Sequence, residues 1–376
     1  MRSRLLHHWT PVLATVLALG LTSACGGSDA SDKAAADAAT EAAKARVAGN
    51  PALAALVAAA KKEGALDLNW GLHGRDAAKT LTDTFNKAYG INIKVTLTPD
   101  QNMPGNAAKL TQQYKAKSPS STDAFMGNAE LTLGAGPKGT DALEKVDWEK
   151  IAPWTKGLAT SDGVALTMLD QLSGFTYNTN LISEDELPKT ALDVLKLKKP
   201  VASTPYAAQF NVLGVKEAMG MDGVKSYLKS FKPAGYFGCG ELSRLASGEF
   251  AALWISCGKN LAEVYADQGA PLKTAILKDA AVISPWYMSV PKNARHPNAA
   301  KLWASWLTTP EAQALLFKQE FADSSKVAGS RTGKQIAEYR AQGVRFTEVS
   351  YEFAAAHPEL YNPKFKGELI KLLTAK

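Results

Sequence analysis

The sequence predicts an α/β protein in which helices cover parallel strands and the folded part divides into two lobes; three observations carry this reading. The first is a strand–helix–strand unit. Ala65–Trp70 alternates apolar and polar residues and runs into the loop Gly71-Leu72-His73-Gly74. Ala77–Tyr89 then carries Leu81, Phe85 and Ala88 at helical spacing before Gly90, and Ile91–Leu97 sets Ile91, Ile93, Val95 and Leu97 on one strand face. A βαβ unit this short implies a parallel sheet. The second is recurrence: Asp123–Met126, Gly174–Tyr177, Val201–Ser203 and Ala251–Ile255 are further strand candidates flanked by helical segments, without an internal repeat. The third is size, since roughly 325 residues beyond the N-terminal region exceed one ordinary hydrophobic core.

The helices have readable ends. Asn50-Pro51 is an N-cap followed by proline at the first helical position, and Leu53, Leu56, Val57 and Ala60 then share a face until Gly64. Asn298–Leu307 carries Leu302, Trp303, Trp306 and Leu307, and a second helix opens at Thr309-Pro310-Glu311 and runs through Leu315, Leu316 and Phe317. Aromatics at this spacing are read as core.

The N-terminus sets the compartment. Arg2 and Arg4 precede an apolar stretch, Pro11–Leu21, that is too short for a span of about 20 residues, and small residues follow it. Residues 1–24 are therefore read as a signal peptide. Leu21-Thr22-Ser23-Ala24-Cys25 resembles the lipobox of bacterial lipoproteins, which makes Cys25 the expected lipidation site and places the chain outside the cytoplasm, anchored at the outer face of the cell membrane or in a periplasm. Residues 25–49, rich in Ala, Asp, Ser and Lys, read as a flexible tether with at most transient helix over 34–47.

Lys and Arg number 43 against 36 Asp and Glu, and no basic run interleaves with aromatics, so nucleic acid is not an expected partner. Beyond Cys25 only Cys239 and Cys257 remain, an even pair outside the cytoplasm that reads as a disulfide. Catalytic signatures are sparse. His73, His296 and His357 are far apart in sequence, and neither a metal-binding Cys/His spacing nor a nucleophile elbow occurs, so no metal and no cofactor are expected. Gly134–Gly139 matches G-x-G-x-x-G but contains Pro137 and falls after the first βα unit, and Gly329–Lys334 mimics a phosphate loop with the wrong glycine spacing; both read as plain loops.

Several stretches in order resemble the extracellular solute-binding proteins of the iron(III), thiamine and aminoethylphosphonate branch of ABC importers. They are Ala59–Leu66, Phe85–Ile91, Gly174–Asn180 with Leu187–Thr190, Ala246–Phe250 and His296–Leu302. The resemblance implies a two-lobe, type II periplasmic-binding-protein architecture with a hinge of crossing strands. On this basis residues 50–173 and 288–376 form lobe 1, with the C-terminal part able to contact both lobes, and residues 174–287 form lobe 2. It also implies a monomer that captures a small solute between the lobes and delivers it to an ABC permease with its ATPase. Iron-binding members use adjacent tyrosines, and no Tyr-Tyr pair occurs here, so an organic solute or small oxyanion is expected instead.

Candidate ligand contacts lie in the loops after the strands. From lobe 1 they are Gly71, His73, Asn128 and Glu130; from lobe 2, Thr204, Tyr206, Gly240, Glu241, Trp254 and Ser256; and at the crossings, Tyr177, Trp286 and Tyr287. His73 and the helix N-termini could hold a carboxylate, phosphonate or phosphate. The alternatives are a lipid-anchored enzyme on the same scaffold and a ligand-sensing partner of a receptor.

Overall fold

Two sheets, one per lobe, organise the chain in the computed structural model, which describes residues 27–74, 76–99 and 102–375, with side chains from residue 37 onward. The expected signal peptide over residues 1–24 and the expected lipidation site Cys25 lie outside the described residues. Among those described, no helix is long and apolar enough to cross a membrane.

The first sheet contains β1 (Ala65–Asn69), β2 (Lys94–Thr98), β3 (Ala124–Asn128), β4 (Ala165–Ser173), and two late strands. The second contains β5 (Phe175–Asn178), β6 (Val201–Ala202), β7 (Ala252–Leu253) and β8 (Leu272–Ala275). The late strands of the first sheet are β9 (Ala281–Ser289) and β10 (Phe346–Glu348). β1 pairs in parallel with β2 and β3, as the strand–helix–strand reading requires, and β3 runs antiparallel to β9. β2 is an edge strand, so Val95 and Leu97 stay half-buried, while Ile91 and Ile93 are buried just before it.

Fifteen helices surround these sheets among the described residues. The first lobe carries α1 (Gly27–Gly49), α2 (Pro51–Glu63), α3 (Ala77–Tyr89), α4 (Met103–Lys115), α5 (Ala129–Ala135) and α6 (Trp148–Ile151). The second lobe carries α7 (Ala191–Val194), α8 (Met221–Ser230), α9 (Leu242–Ala246) and α10 (Lys259–Asp267). The chain then returns through α11 (Pro297–Leu307), α12 (Pro310–Glu320), α13 (Arg331–Ala341), α14 (Tyr351–Ala356) and α15 (Pro363–Thr374). The ends of α2 follow the sequence reading: the Asn50 side chain accepts from the N–H groups of Ala52 and Leu53, and Gly64 at φ +67° closes the helix.

The first-lobe core forms where α2, α3 and α11 meet the sheet. Phe85, Trp303 and Trp306 interlock there, with ring centroids 5.0 Å apart for Phe85–Trp303 and 5.2 Å for Trp303–Trp306, so these tryptophans pack the core. In the second lobe Phe175, Phe210, Tyr227 and Trp254 play that part.

Two sequence expectations need correction. Residues 27–49 are one helix, α1, and its second half packs instead of hanging free. Ala43 is buried, the Arg46 guanidinium donates to both oxygens of Glu311 at 2.8 and 2.9 Å and lies over Trp154, and Lys87 donates to Asp37. Alanine-rich sequence lacks the apolar surface to fold alone, but its helix propensity suffices once a neighbouring surface is present. Residues 281–287 belong to the first sheet, so the return crossing precedes β9. The C-terminal segment contacts both lobes, as the sequence reading allowed: α14 packs with α5 in the first lobe, whereas Leu360, Phe365, Leu369 and Leu373 are buried in the second-lobe core.

The hinge follows from β4 and β9, which pair antiparallel from Ala165↔Ser289 to Ser173↔Val282. Both strands outrun β3, and their far ends carry the chain across to lobe 2, β4 through Gly174 into β5 and β8 back into β9. A Cβ on Gly174 would lie 2.5 Å from the Ala275 carbonyl oxygen, so the two crossings touch at a position where only glycine fits.

Beside the hinge, Asp170 of β4 is buried; its N–H donates to the Asp323 carbonyl and its carboxylate accepts from the Ser325 N–H at 2.7 Å. Burial raises its pKa above the ordinary carboxylate range, with the Ser325 hydrogen bonds opposing. The folded state thus keeps a proton where the unfolded chain has lost it, so this group's contribution to stability declines as pH rises from about 4.

Two outcomes are expected. Phe85→Ala should lower the unfolding free energy by about 3–5 kcal/mol, read as a lower urea midpoint. Asp170→Asn should remove this group's share, so the denaturant midpoint of the parent should fall relative to that of the variant as pH rises above about 4; parallel pH profiles for the two proteins would refute that role.

Candidate functional site

The carboxyl end of the parallel strands in lobe 1 faces the loops of lobe 2, and separate polar contacts, with one close backbone approach between them, join the two. In the loop after β1, the N–H groups of His73 and Gly74 donate to the Glu320 carboxylate at 2.9 and 2.8 Å, and His73 Nδ1 lies 3.1 Å from the same group. The Glu320 carbonyl accepts from Asn260 Nδ2 of lobe 2 at 3.3 Å. Beside Asn260, the backbone of Gly258 is pressed against Gln171 of β4: a Cβ there would fall 3.2 Å from Gln171 Cδ. Gln171 Oε1 in turn accepts from the indole N–H of Trp286 at 2.8 Å. Further along β9, Ser284 accepts from the Gln209 amide of lobe 2 at 3.1 Å.

The lobe 2 side is held by a disulfide. Cys239 and Cys257 are bridged, with Cα atoms 5.8 Å apart, which ties the loop before α9 to the residue that precedes Gly258. The Tyr206 hydroxyl lies 2.9 Å from Cys239 Sγ and accepts from the Cys239 N–H at 3.3 Å. Its ring is one of the few large apolar groups left exposed, at 47%. In the same loop Ala207 and Gln209 adopt left-handed φ of +50° and +65°, a conformation that costs non-glycine residues about 1–3 kcal/mol and is typically held at functional sites.

Several sequence candidates join this seam in altered roles. His73 is present, but its loop N–H groups are already taken by Glu320, so the expected anion site is filled by the chain itself. Gly71 is buried next to it. Asn128 lies opposite Trp286 in the sheet register and spends its oxygen capping α5 through the Leu131 N–H. Glu130 bridges the lobes by accepting from Lys366 Nζ of α15 at 2.7 Å. Ser256 is buried and pins the crossing, its N–H donating to the Gly174 carbonyl and its Oγ accepting from the Gly174 N–H.

Others are structural. Trp254 is fully buried in the second-lobe core and donates its indole N–H to the Tyr227 hydroxyl. Tyr177 is buried against Phe175, and Tyr287 is buried with its hydroxyl accepting from the Tyr351 N–H. Neighbouring strand residues point to opposite faces, so Trp286 turns towards the seam and Tyr287 into the core. Thr204 is buried and caps its own turn through the Ala208 N–H. Glu241 is exposed and accepts from the Gly238 N–H, and Gly240 is exposed on the same loop. These assignments to ligand contact are corrected for Trp254, Tyr177 and Tyr287, because no face of theirs is open.

Gln171, Gln209, Asn260, Ser284 and Glu320 were missed. The available signal is weak: Ser284 interrupts the apolar start of β9, but Gln171 shares β4 with Thr167, Asp170 and Ser173, so polarity alone does not single it out. Asn260 and Glu320 carried no such mark, because only the packing of α10 against α12 brings them together.

His296, distant from other ligand types in sequence, comes together with Asp67 and Asp123. Asp123 is buried and already accepts from the N–H groups of Asp67, Arg295 and His296, while His296 Nδ1 lies 2.7 Å from it. The cluster pins the loop before α11 to β1. Cavities of about 610 and 450 Å³ share Val215, Glu217 and His357 and contain none of the seam residues.

No curated protein sequence matches the chain. Among solved structures, the fold is similar to the periplasmic binding protein AgtB of Agrobacterium tumefaciens R10 in complex with agropinic acid, with 16% identity, TM-score 0.63, and coverage of 82% of this chain and 98% of that one. An ABC transporter substrate-binding protein from Bradyrhizobium japonicum USDA 110 aligns with 16% identity and TM-score 0.65 over 83% of this chain and all of its own. Iron-bound HitA from Pseudomonas aeruginosa aligns with 15% identity and TM-score 0.59 over 81% and 99%. At such identities the likeness establishes the two-lobe fold. The sequence profile described as bacterial extracellular solute-binding protein matches residues 80–336, most of the length, and the chain therefore belongs to the bacterial extracellular solute-binding protein family.

Proposed function

We propose that this protein captures a small organic solute in the seam between its lobes and hands it to the permease of an ABC importer, from a position outside the cytoplasm where a lipid on Cys25 anchors it. The observation that carries the reading is the contact of Gln171 and Ser284 of lobe 1 with Gly258 and Gln209 of lobe 2, beside Trp286 and across two touching crossings. A solute that contacts both walls favours the closed arrangement by as much as it binds that arrangement better. The permease, working with its ATPase, would then read the closed shape of a monomer.

The aromatic groups favour an organic ligand with an apolar or flat face. Agropinic acid in the similar AgtB structure supports this class. Iron fits less well, although HitA shares the fold. Adjacent tyrosines are absent, the Tyr287 hydroxyl is committed to the Tyr351 N–H, and the Tyr206 hydroxyl rests on the disulfide. The reading assigns no chemical step to the cleft.

A thermal-shift and titration screen of sugars, amino acids, opine-like conjugates and metal ions tests it. A true ligand at 100 times its Kd adds about 2.7 kcal/mol of stability. For that ligand, Trp286→Ala should weaken binding by about tenfold or more, equivalent to about 1.4 kcal/mol, while Tyr287→Phe leaves Kd unchanged. Absence of binding by every class, together with turnover of some substrate, would replace this reading with an enzymatic one.

A further inference from the structure

The loop after β1 sits where a parallel sheet offers N–H groups to a ligand anion, yet here a carboxylate of the chain fills it. Glu320 has only 4% of its side chain exposed, and it accepts from both loop N–H groups while facing His73 Nδ1. The fit is close, since a Cβ on Gly74 would lie 2.4 Å from the Gln319 carbonyl oxygen. The loop is therefore built to rest on the end of α12.

A second, independent observation lies across the seam. Asn260 is 5% exposed, and its Oδ1 has no hydrogen-bond partner among the described residues. The amide cannot be turned round to hide this, because Nδ2 faces the Glu320 carbonyl, which only a donor can satisfy. Oδ1 lies beside Gly258, where a Cβ would come within 2.5 Å of it, and Gln171 borders the same spot. A buried acceptor without a donor costs about 1–3 kcal/mol, which a ligand N–H or O–H would recover.

We propose that Glu320 fills the anion cradle of lobe 1 with the chain's own carboxylate, so that the ligand end received between Asn260 and Gln171 is a hydrogen-bond donor, a hydroxyl or amino group, and not a carboxylate or phosphate. This rests on the reading of the seam as the solute site. An anion at this end would meet the bare acceptor of Asn260, which offers it no donor, and would add negative charge next to the residue whose carboxylate is already buried, where like charges in a medium of low dielectric disfavour one another. Glu320 is a specificity-determining residue in this scheme, and Asn260 is the group that meets the ligand.

The test uses the purified protein with acetate and inorganic phosphate as anion probes, and with hexitols, aminosugars and diamines as donor probes. In Glu320→Ala, acetate should bind the emptied cradle and raise Tm saturably, an effect absent from the parent protein. Should that variant not fold, the parent's Gly74 amide NMR signal serves instead: it should stay unmoved by acetate or phosphate. Any donor-bearing ligand found should lose at least about tenfold in affinity in Asn260→Ala, equivalent to about 1.4 kcal/mol. Saturable binding of acetate or phosphate at Gly74 in the parent protein, or failure of acetate to stabilise a folded Glu320→Ala, would overturn the proposal. Should no solute of any class bind, the solute-site reading fails, while the acetate measurements still decide what fills the cradle.

Discussion

The antiparallel pairing of β4 with β9 is the constraint on which the rest of the molecule depends. These two strands are the longest of the first sheet, and their outer ends are also the two crossings into lobe 2. One ladder of hydrogen bonds thus stiffens a core and aims a hinge. At Gly174 the crossings approach so closely that a side chain has no room, and Ser256 reaches back from lobe 2 to bond both the N–H and the carbonyl of that glycine. The lobes therefore share a fulcrum of backbone atoms, and the polar groups flanking it, Gln171, Ser284 and Trp286, are presented by strands and not by free loops. Sites carried on such elements hold their geometry better than sites on loops.

A second device recurs wherever distant segments must be held together: a carboxylate is set against backbone N–H groups that start a helix or turn. Glu63 accepts from the N–H groups of Asn298 and Ala299 at the start of α11. Asp323 does the same for Arg331 and Thr332 at α13, and Asp279 accepts from Ala191 at α7. Asp123 ties β1 to the loop before α11, and Glu320 ties the loop after β1 to α12. Each pairing satisfies orphan donors that a helix end or loop leaves open and places negative charge where the backbone dipoles favour it. The consequence for function is direct. The N–H groups that a solute anion could have used are occupied by the chain, and the seam between the lobes is left with an unmatched acceptor.

The N-terminal region shows how context decides the fate of a weak sequence. Taken alone, 27–49 has too little large apolar surface to fold, and the expectation of a loose tether follows from that. Docked on α2 and α3 the helix buries Ala43, and Arg46 finds both Glu311 and the face of Trp154. The stretch from Asp37 to Gly49 is thereby joined to the body of lobe 1 instead of swinging from it.

Local signals in the sequence determined a good part of this protein. The helix caps at Asn50 and Gly64, the alternation of β1, the interlocking tryptophans of α11 and the cysteine pair all act through neighbouring residues or through apolar spacing, and those are legible without coordinates. The seam was only partly legible. Tyr206 could be placed near the cleft by its position after a strand and Trp286 by its expected nearness to the hinge, but the strand pleat decides that Trp286 and not Tyr287 faces the seam, and core packing buries Trp254 and Tyr177. Glu320 and Asn260 were beyond reach, because one ends a helix of lobe 1 and the other begins a helix of lobe 2, and nothing in the chain between them records that the ends meet. Chemistry at the seam arises from charges and an unpaired acceptor brought together across long sequence distances. The sequence determines which groups exist and which segments bury them, and only the tertiary structure decides which of those groups are already satisfied and which remain for a ligand.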